Sequence, residues 1–366
     1  MNILIFFIIL LVLVLVHEFG HFFTAKKFGI RVDEFGFGFP PKIFGYKKGE
    51  TEYSLNLLPL GGFVKIYGEN PEVEQAHYGA GPDDDRKFYN KPKYKQAIVL
   101  FAGVFANFLL AWFLFSVGFM SGFPTSVGNS IKGYELSDVN LVVISIEPKS
   151  PAELSGLKSG DKILSIQNEN DFTSSVSPET LKSFVINSKG KEIEIGYVRG
   201  GEKEQFVKLV PSLKSGTPMI GISMDQIGVA KLSFFRAFEE GMRLTLNMVK
   251  GTALGLYMLI TEGIRGQDAL SSITGPVGMV GIVGDAYELG FVYLLSFAAL
   301  ISVNLAVINL LPFPALDGGR LLFLLIEKIK GSRINSKFTN IANMVGFGIF
   351  ILLMLVVTYR DVVKLF

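Results

Sequence analysis

Five consecutive residues, His17-Glu18-Phe19-Gly20-His21, hold the densest chemistry in the chain. On a helix, residues four apart lie one above the other, so the two imidazoles face the same way and can grip one metal ion. Glu18, adjacent to His17 but not itself a ligand, is placed to take a proton from a water that the metal activates. The chain has no cysteine, so the metal must be held by imidazole and carboxylate, a set that suits one Zn2+. Two histidines leave a catalytic zinc shell one protein ligand short. Asp317 is the expected third, in the run Asn309-Leu310-Leu311-Pro312-Phe313-Pro314-Ala315-Leu316-Asp317-Gly318-Gly319. Pro312 and Pro314 must break regular helix there and so expose backbone groups to a substrate. Asn309, about two helical turns before Asp317, is suited to hold a substrate backbone or a developing oxyanion, and equally to make a structural hydrogen bond between helices. The chemistry implied is peptide hydrolysis, with Glu18 taking the proton of the water and returning it to the leaving amine.

These residues sit in a chain built for a membrane. Of 366 residues 49% are hydrophobic, Phe occurs 33 times, and mean hydropathy is +0.41. The apolar residues gather in blocks of roughly the 20 residues that cross about 30 Å of hydrocarbon. Four spans are expected, over about 3–23, 97–120, 291–311 and 341–357. No Lys or Arg precedes Lys26, which argues for a retained first span over a cleaved signal peptide. The catalytic motif therefore lies inside a span, where each ionisable residue costs about 2.5–3.5 kcal/mol by insertion scales and marks function by default.

Charge near the span ends sets the expected topology. Twelve Lys and Arg lie between Lys26 and Lys95, and five more between Arg320 and Lys337, so both loops are expected on the cytoplasmic side. The first and third spans then run inward and meet their motifs late, His17 after about 21 Å of helix, which lets His17, His21 and Asp317 share one level. The segment 122–226 falls outside and reads as a small strand-rich α+β domain, with alternating runs at 141–146, 162–166 and 192–198. Its run from Ser150 to Leu164 resembles the helix, turn and strand of bacterial PDZ domains, which implies one such domain with a groove for peptide termini. Charges at helical spacing over 234–260 predict an amphipathic helix on or partly in the bilayer, with a fifth span as the competing reading.

The chain as a whole resembles the bacterial site-2 proteases. The resemblance rests on His17 through His21, on Asn309 through Gly318, and on Gly36-Phe37-Gly38, Thr51-Glu52-Tyr53 and Leu58-Pro59-Leu60-Gly61-Gly62-Phe63-Val64-Lys65. It implies a polytopic α-helical membrane protein of the bacterial cytoplasmic membrane, in parts 1–121, 122–226 and 227–366. It also implies a membrane-reentrant β-hairpin or sheet over 32–67 that pairs with an extended substrate. Gly61 and Gly62 permit close approach of a second backbone, or form a plain turn. Ala102, Gly103 and Asn107 belong to the same pattern and are expected to serve helix packing. Enterobacterial members carry two tandem PDZ domains, whereas 122–226 has room for one.

The substrates implied are single-span membrane proteins, of anti-sigma-factor or signal-peptide-remnant type. A net charge of +2 with no basic run interleaved with aromatics excludes a nucleic-acid partner. Two other classes compete: a metal transporter or sensor, and a catalytically silent PDZ scaffold. The first would need ionisable residues through both leaflets and gives Glu18 no duty, and the second would lack ligands or base.

Overall fold

The computed structural model describes residues 1–69, 84–129, 131, 133–188, 190–200, 203–214, 216–265 and 273–363. It divides into two compact units, Met1–Phe115 with Gly241–Gly284 and Leu295–Phe366, and Ser116–Glu240 with Asp285–Leu294. The helices are α1 (Asn2–Lys27), α2 (Lys93–Ser121), α3 (Pro151–Leu154), α4 (Pro178–Asn187), α5 (Phe234–Ile264), α6 (Pro276–Leu289), α7 (Phe291–Asn309), α8 (Asp317–Lys330) and α9 (Ser336–Val363).

Among the described residues, α1, α2, α5, α7 and α9 are long and apolar enough to cross a membrane. Three of them contain expected spans in full, and α7 matches the remaining one but stops at Asn309, two residues short of the 311 read from sequence. The fifth, α5, is the least apolar and covers the segment expected as an amphipathic helix. The short helices α6 and α8 were not anticipated. In α1 the buried residues Leu13, His17, His21 and Ala25 recur every fourth position and make one stripe, while Val12, Phe19 and Phe23 stay exposed. The stripe meets α2 at very short range: a Cβ added to Gly20 would stand 2.3 Å from the carbonyl oxygen of Ala102 and 3.0 Å from Cβ of Ala106. Small residues on both sides allow two backbones this close.

Two long strands, β1 (Val32–Lys48) and β2 (Thr51–Ile66), follow α1. Their register folds them into four segments. Residues 42–48 pair antiparallel with 51–56, and 52–55 also pair with 34–37, whose other side takes 62–66. No further strand joins this sheet among the described residues, so the outer edge of 62–66 carries no strand partner. Gly61 and Gly62 lie within β2, where Gly62 is paired with Phe37, and so do not form a turn. An apolar cluster of Ala25, Ile30, Val32, Ile66, Phe88, Val99 and Leu100 packs the end of α1, the base of the sheet and the start of α2 together.

The second unit holds a seven-stranded sheet in the order β3 (Phe123–Ser126), β11 (Ile222–Ala230), β4 (Ser137–Ile146), β5 (Lys162–Gln167), β7 (Ile193–Val198) and β8 (Gln205–Leu209), with β6 (Phe172–Thr173) beside β5. A separate pair, β9 (Ser212–Lys214) and β10 (Thr217–Met219), precedes the last strand. That strand runs to Ala230, four residues past the 226 expected from sequence. Alternating inward residues of β4, β5 and β7 form the core with Leu181 and Val185 of α4. Ser177 caps α4 by accepting the Thr180 N–H at 3.1 Å, and Pro178 opens the first turn. Beside this core Arg199 donates twice to Asp161, at 2.7 and 2.8 Å, and the Asp161 side chain is fully buried.

Removing one partner of a buried ion pair leaves an uncompensated charge, which costs about 3–5 kcal/mol. Arg199→Met is therefore expected to lower stability by about that amount, read as the thermal unfolding of the full chain in detergent. A loss under about 1 kcal/mol would match a surface pair and contradict the reading.

Candidate metal centre and active site

The first unit brings His17, His21 and Asp317 together. Nε2 of His17 and Nε2 of His21 are 3.2 Å apart, and Oδ2 of Asp317 lies 3.0 and 3.3 Å from them. Ligands about 2.0–2.1 Å from a tetrahedral metal are separated by about 3.3 Å, so the three atoms fit the edges of such a shell. The Asp317 Oδ2 is buried and has no hydrogen-bond partner, as expected of an atom whose lone pair is reserved for a metal. This is the one metal-competent group of His, Asp and Glu side chains found among the described residues.

Each ligand is aimed by its surroundings. Nδ1 of His21 donates to the carbonyl of Val99 at 2.8 Å, which leaves the Nε2 lone pair pointing at the cluster. Gly103 gives the imidazoles their room: a Cβ there would stand 2.3 Å from Nε2 of His21 and 2.9 Å from Cε1 of His17. Asp317 opens α8 after the extended Leu316, so its carboxylate lies at the positive end of the helix dipole. Its carboxylate faces both imidazoles at ligand spacing.

The loop from Leu310 to Leu316 places Asp317. Ala315 takes a left-handed φ of 74°, which costs a residue with a Cβ of order 1–3 kcal/mol. Asn343 of α9 holds it there by accepting the Ala315 N–H at 3.0 Å. Gly318 and Gly319 turn under the loop, where an added Cβ would come within 2.2 Å of the carbonyl oxygens of Leu311 and Phe313 respectively. Pro314 packs on α9, its carbonyl oxygen 2.6 Å from where a Cβ on Gly346 would lie.

A cavity of about 320 Å3 joins these pieces, lined by His17, Glu18, His21, Asn309 and Asp317 together with Phe63, Val64 and Ile66 of β2. Pro312 and Pro314 do not line it. Gly61 and Gly62 do not line it either, although a Cβ on Gly62 would be 3.4 Å from Cγ of Glu18 and 3.2 Å from Val14. Two lining residues escaped the sequence reading: Arg320, one turn after Asp317, and Glu69, with which it forms an ion pair. Gly103 was read as packing only. Its signal was its place four residues before Asn107, a polar residue in an apolar span.

Residues 5–353 match the model of peptidase family M50. The chain belongs to this family. A relative from Nostoc sp. is 35% identical and covers 94% of this chain and 93% of its own. The zinc metalloprotease RasP of Shouchella clausii is 33% identical over the full length of both chains, and the regulator of sigma-W protease RasP of Bacillus subtilis is 30% identical over 99% and 98%. One solved structure, the PDZ domain of an SdrC-like protein from Listeria monocytogenes, aligns with 25% of this chain at 24% identity and a TM-score of 0.21. Like its M50 relatives, this chain is a multi-pass membrane zinc metallopeptidase, and the cluster at His17, His21 and Asp317 fits the ion.

Gly103→Ala is expected to weaken zinc affinity by about tenfold or more, since its methyl group must displace a ligating imidazole. Gly251→Ala, at a helical glycine with nothing within 4 Å of its added Cβ, is expected to bind as the wild type does. Equal affinities for the two variants, read by chelator competition, would contradict the packing account.

Proposed function

We propose that this M50 peptidase is an endopeptidase that hydrolyses peptide bonds within the transmembrane segments of single-span membrane proteins. The observation that carries the reading is one cavity holding a base, a three-ligand metal cluster and the segment 62–66, whose outer strand edge is free. A spanning helix hides its carbonyls in its own hydrogen bonds, so it must unwind before it can be cut. The edge of 62–66 offers replacement partners by strand addition, and glycine at 61 and 62 lets the second backbone come close.

His17, His21 and Asp317 would hold zinc, which when bound would supply Lewis acidity and bring the pKa of a water toward neutrality. Glu18 takes the proton from the attacking water and delivers it to the leaving amine. The Asn309 carboxamide, at the end of α7 on the cavity wall, donates to the substrate carbonyl as negative charge develops there. Pro312 and Pro314 serve substrate binding indirectly, by keeping the 310–316 backbone out of regular helix.

In the second unit an apolar groove of about 590 Å3 runs beside α4, with Leu181, Val185, Pro218, Ile220 and Ile222 on its walls and Lys182 and Lys214 also lining it. It suits an apolar peptide terminus, in keeping with a PDZ-like domain. The charge pattern of the loops supports an extracytoplasmic place for this domain and a cytoplasmic side for the β1–β2 sheet, and the resemblance to the site-2 proteases supports a sheet that dips into the bilayer.

Glu18→Gln is expected to keep bound zinc and to lose about 10²- to 10⁴-fold in cleavage rate. Asp317→Asn is expected to lower both zinc content and rate. Zinc content and proteolysis of the purified variants check this, and Glu18→Gln cutting at the wild-type rate would remove Glu18 from the mechanism.

A further inference from the structure

Asn107 is completely buried on α2, one turn beyond Gly103, in a helix otherwise apolar at that depth. A carboxamide in such a place needs partners for its oxygen as well as its nitrogen. Its Nδ2 lies 3.4 Å from Nδ1 of His17, and its Oδ1 is buried with no hydrogen-bond partner. The backbone there is pinned, because Ser302 of α7 donates its hydroxyl to the Asn107 carbonyl at 2.8 Å. The side chain can therefore change only by rotating in place.

The two histidines differ in what faces their outer nitrogens. A neutral imidazole has one N–H and one lone pair, so a histidine that gives its Nε2 lone pair to a metal must carry its proton on Nδ1 and needs an acceptor there. For His21 the Val99 carbonyl is that acceptor. For His17 the group in reach is the Asn107 carboxamide, 3.4 Å from Nδ1. The oxygen and nitrogen of a carboxamide are nearly isosteric, so a half-turn about the Cβ–Cγ bond exchanges them. That half-turn gives the His17 Nδ1–H its acceptor.

We propose that Asn107 is a positioning residue for the metal centre, whose amide oxygen accepts the His17 Nδ1 proton when His17 ligates. The inference rests on the metal-site reading above. An amide offers that acceptor without adding a buried charge, where an alkyl side chain offers none.

The test is zinc affinity by chelator competition on the full chain in detergent, for the wild type and for Asn107→Leu, Asn107→Ala and Asn107→Asp, each checked for cooperative thermal unfolding. Leu and Ala are expected to weaken zinc binding by about 10- to 100-fold. Asp, which restores an acceptor, is expected to stay within about threefold of the wild type. Leu and Ala binding as tightly as the wild type would overturn the proposal. So would Asp weakened as much as Leu, because Asn107 would then act through packing alone. A wild-type chain that binds no zinc would overturn the metal site itself and the inference with it.

Discussion

Two helix backbones touch where Gly20 and Gly103 face each other's helices, and the chemistry depends on that contact. An imidazole in an apolar helix needs a partner for each nitrogen, since hydrocarbon provides none. With the helices drawn together, the Val99 carbonyl and the Asn107 amide come within reach, and Gly103 leaves space for the rings. The same approach explains why the carboxylate arrives from elsewhere: both faces of the α1–α2 contact are filled, and the open side of the cluster is met by α8.

The remaining parts of the site need irregular backbone, which a bilayer tolerates only where protein or water surrounds it. The loop at 310–316 meets that condition by leaning on α9 through Asn343 and Gly346. The sheet pairs its inner segments with each other and, among the described residues, leaves the outer edges of 42–48 and 62–66 without a strand partner, the second of them beside Glu18. An edge strand is ordinarily a hazard. Under the proposed function, an edge next to a hydrolytic centre gives an unwound substrate partners for the hydrogen bonds it has lost.

Much of this was legible in the chain itself. His17, Glu18, His21 and Asp317 could be read because zinc chemistry demands those side chains at those spacings, and long apolar blocks fix helices regardless of tertiary context. The stretch 32–67 was legible as a hairpin or sheet, but its division into four paired segments was not, because Gly61 and Gly62 permit a turn as readily as an extended run. Gly103 and Asn107 carry no local signature that separates packing from ligand support, and only the distances to His17 and His21 make the difference. Arg320 and Glu69 are 251 residues apart, and no periodicity links them. The end of α7 moved for a similar reason: residues 310 and 311 are apolar enough for a span, but Pro312 and Pro314 act back on the turn before them.

The most direct test of intramembrane hydrolysis is the position of the cut. A single-span protein with charged flanks would be reconstituted with the purified enzyme in liposomes and its fragments weighed intact by mass spectrometry. The account predicts one or a few scissile bonds inside the apolar stretch, toward its cytoplasmic end, absent with Glu18→Gln. Cuts confined to the water-exposed flanks, or the same fragments from Glu18→Gln, would contradict it.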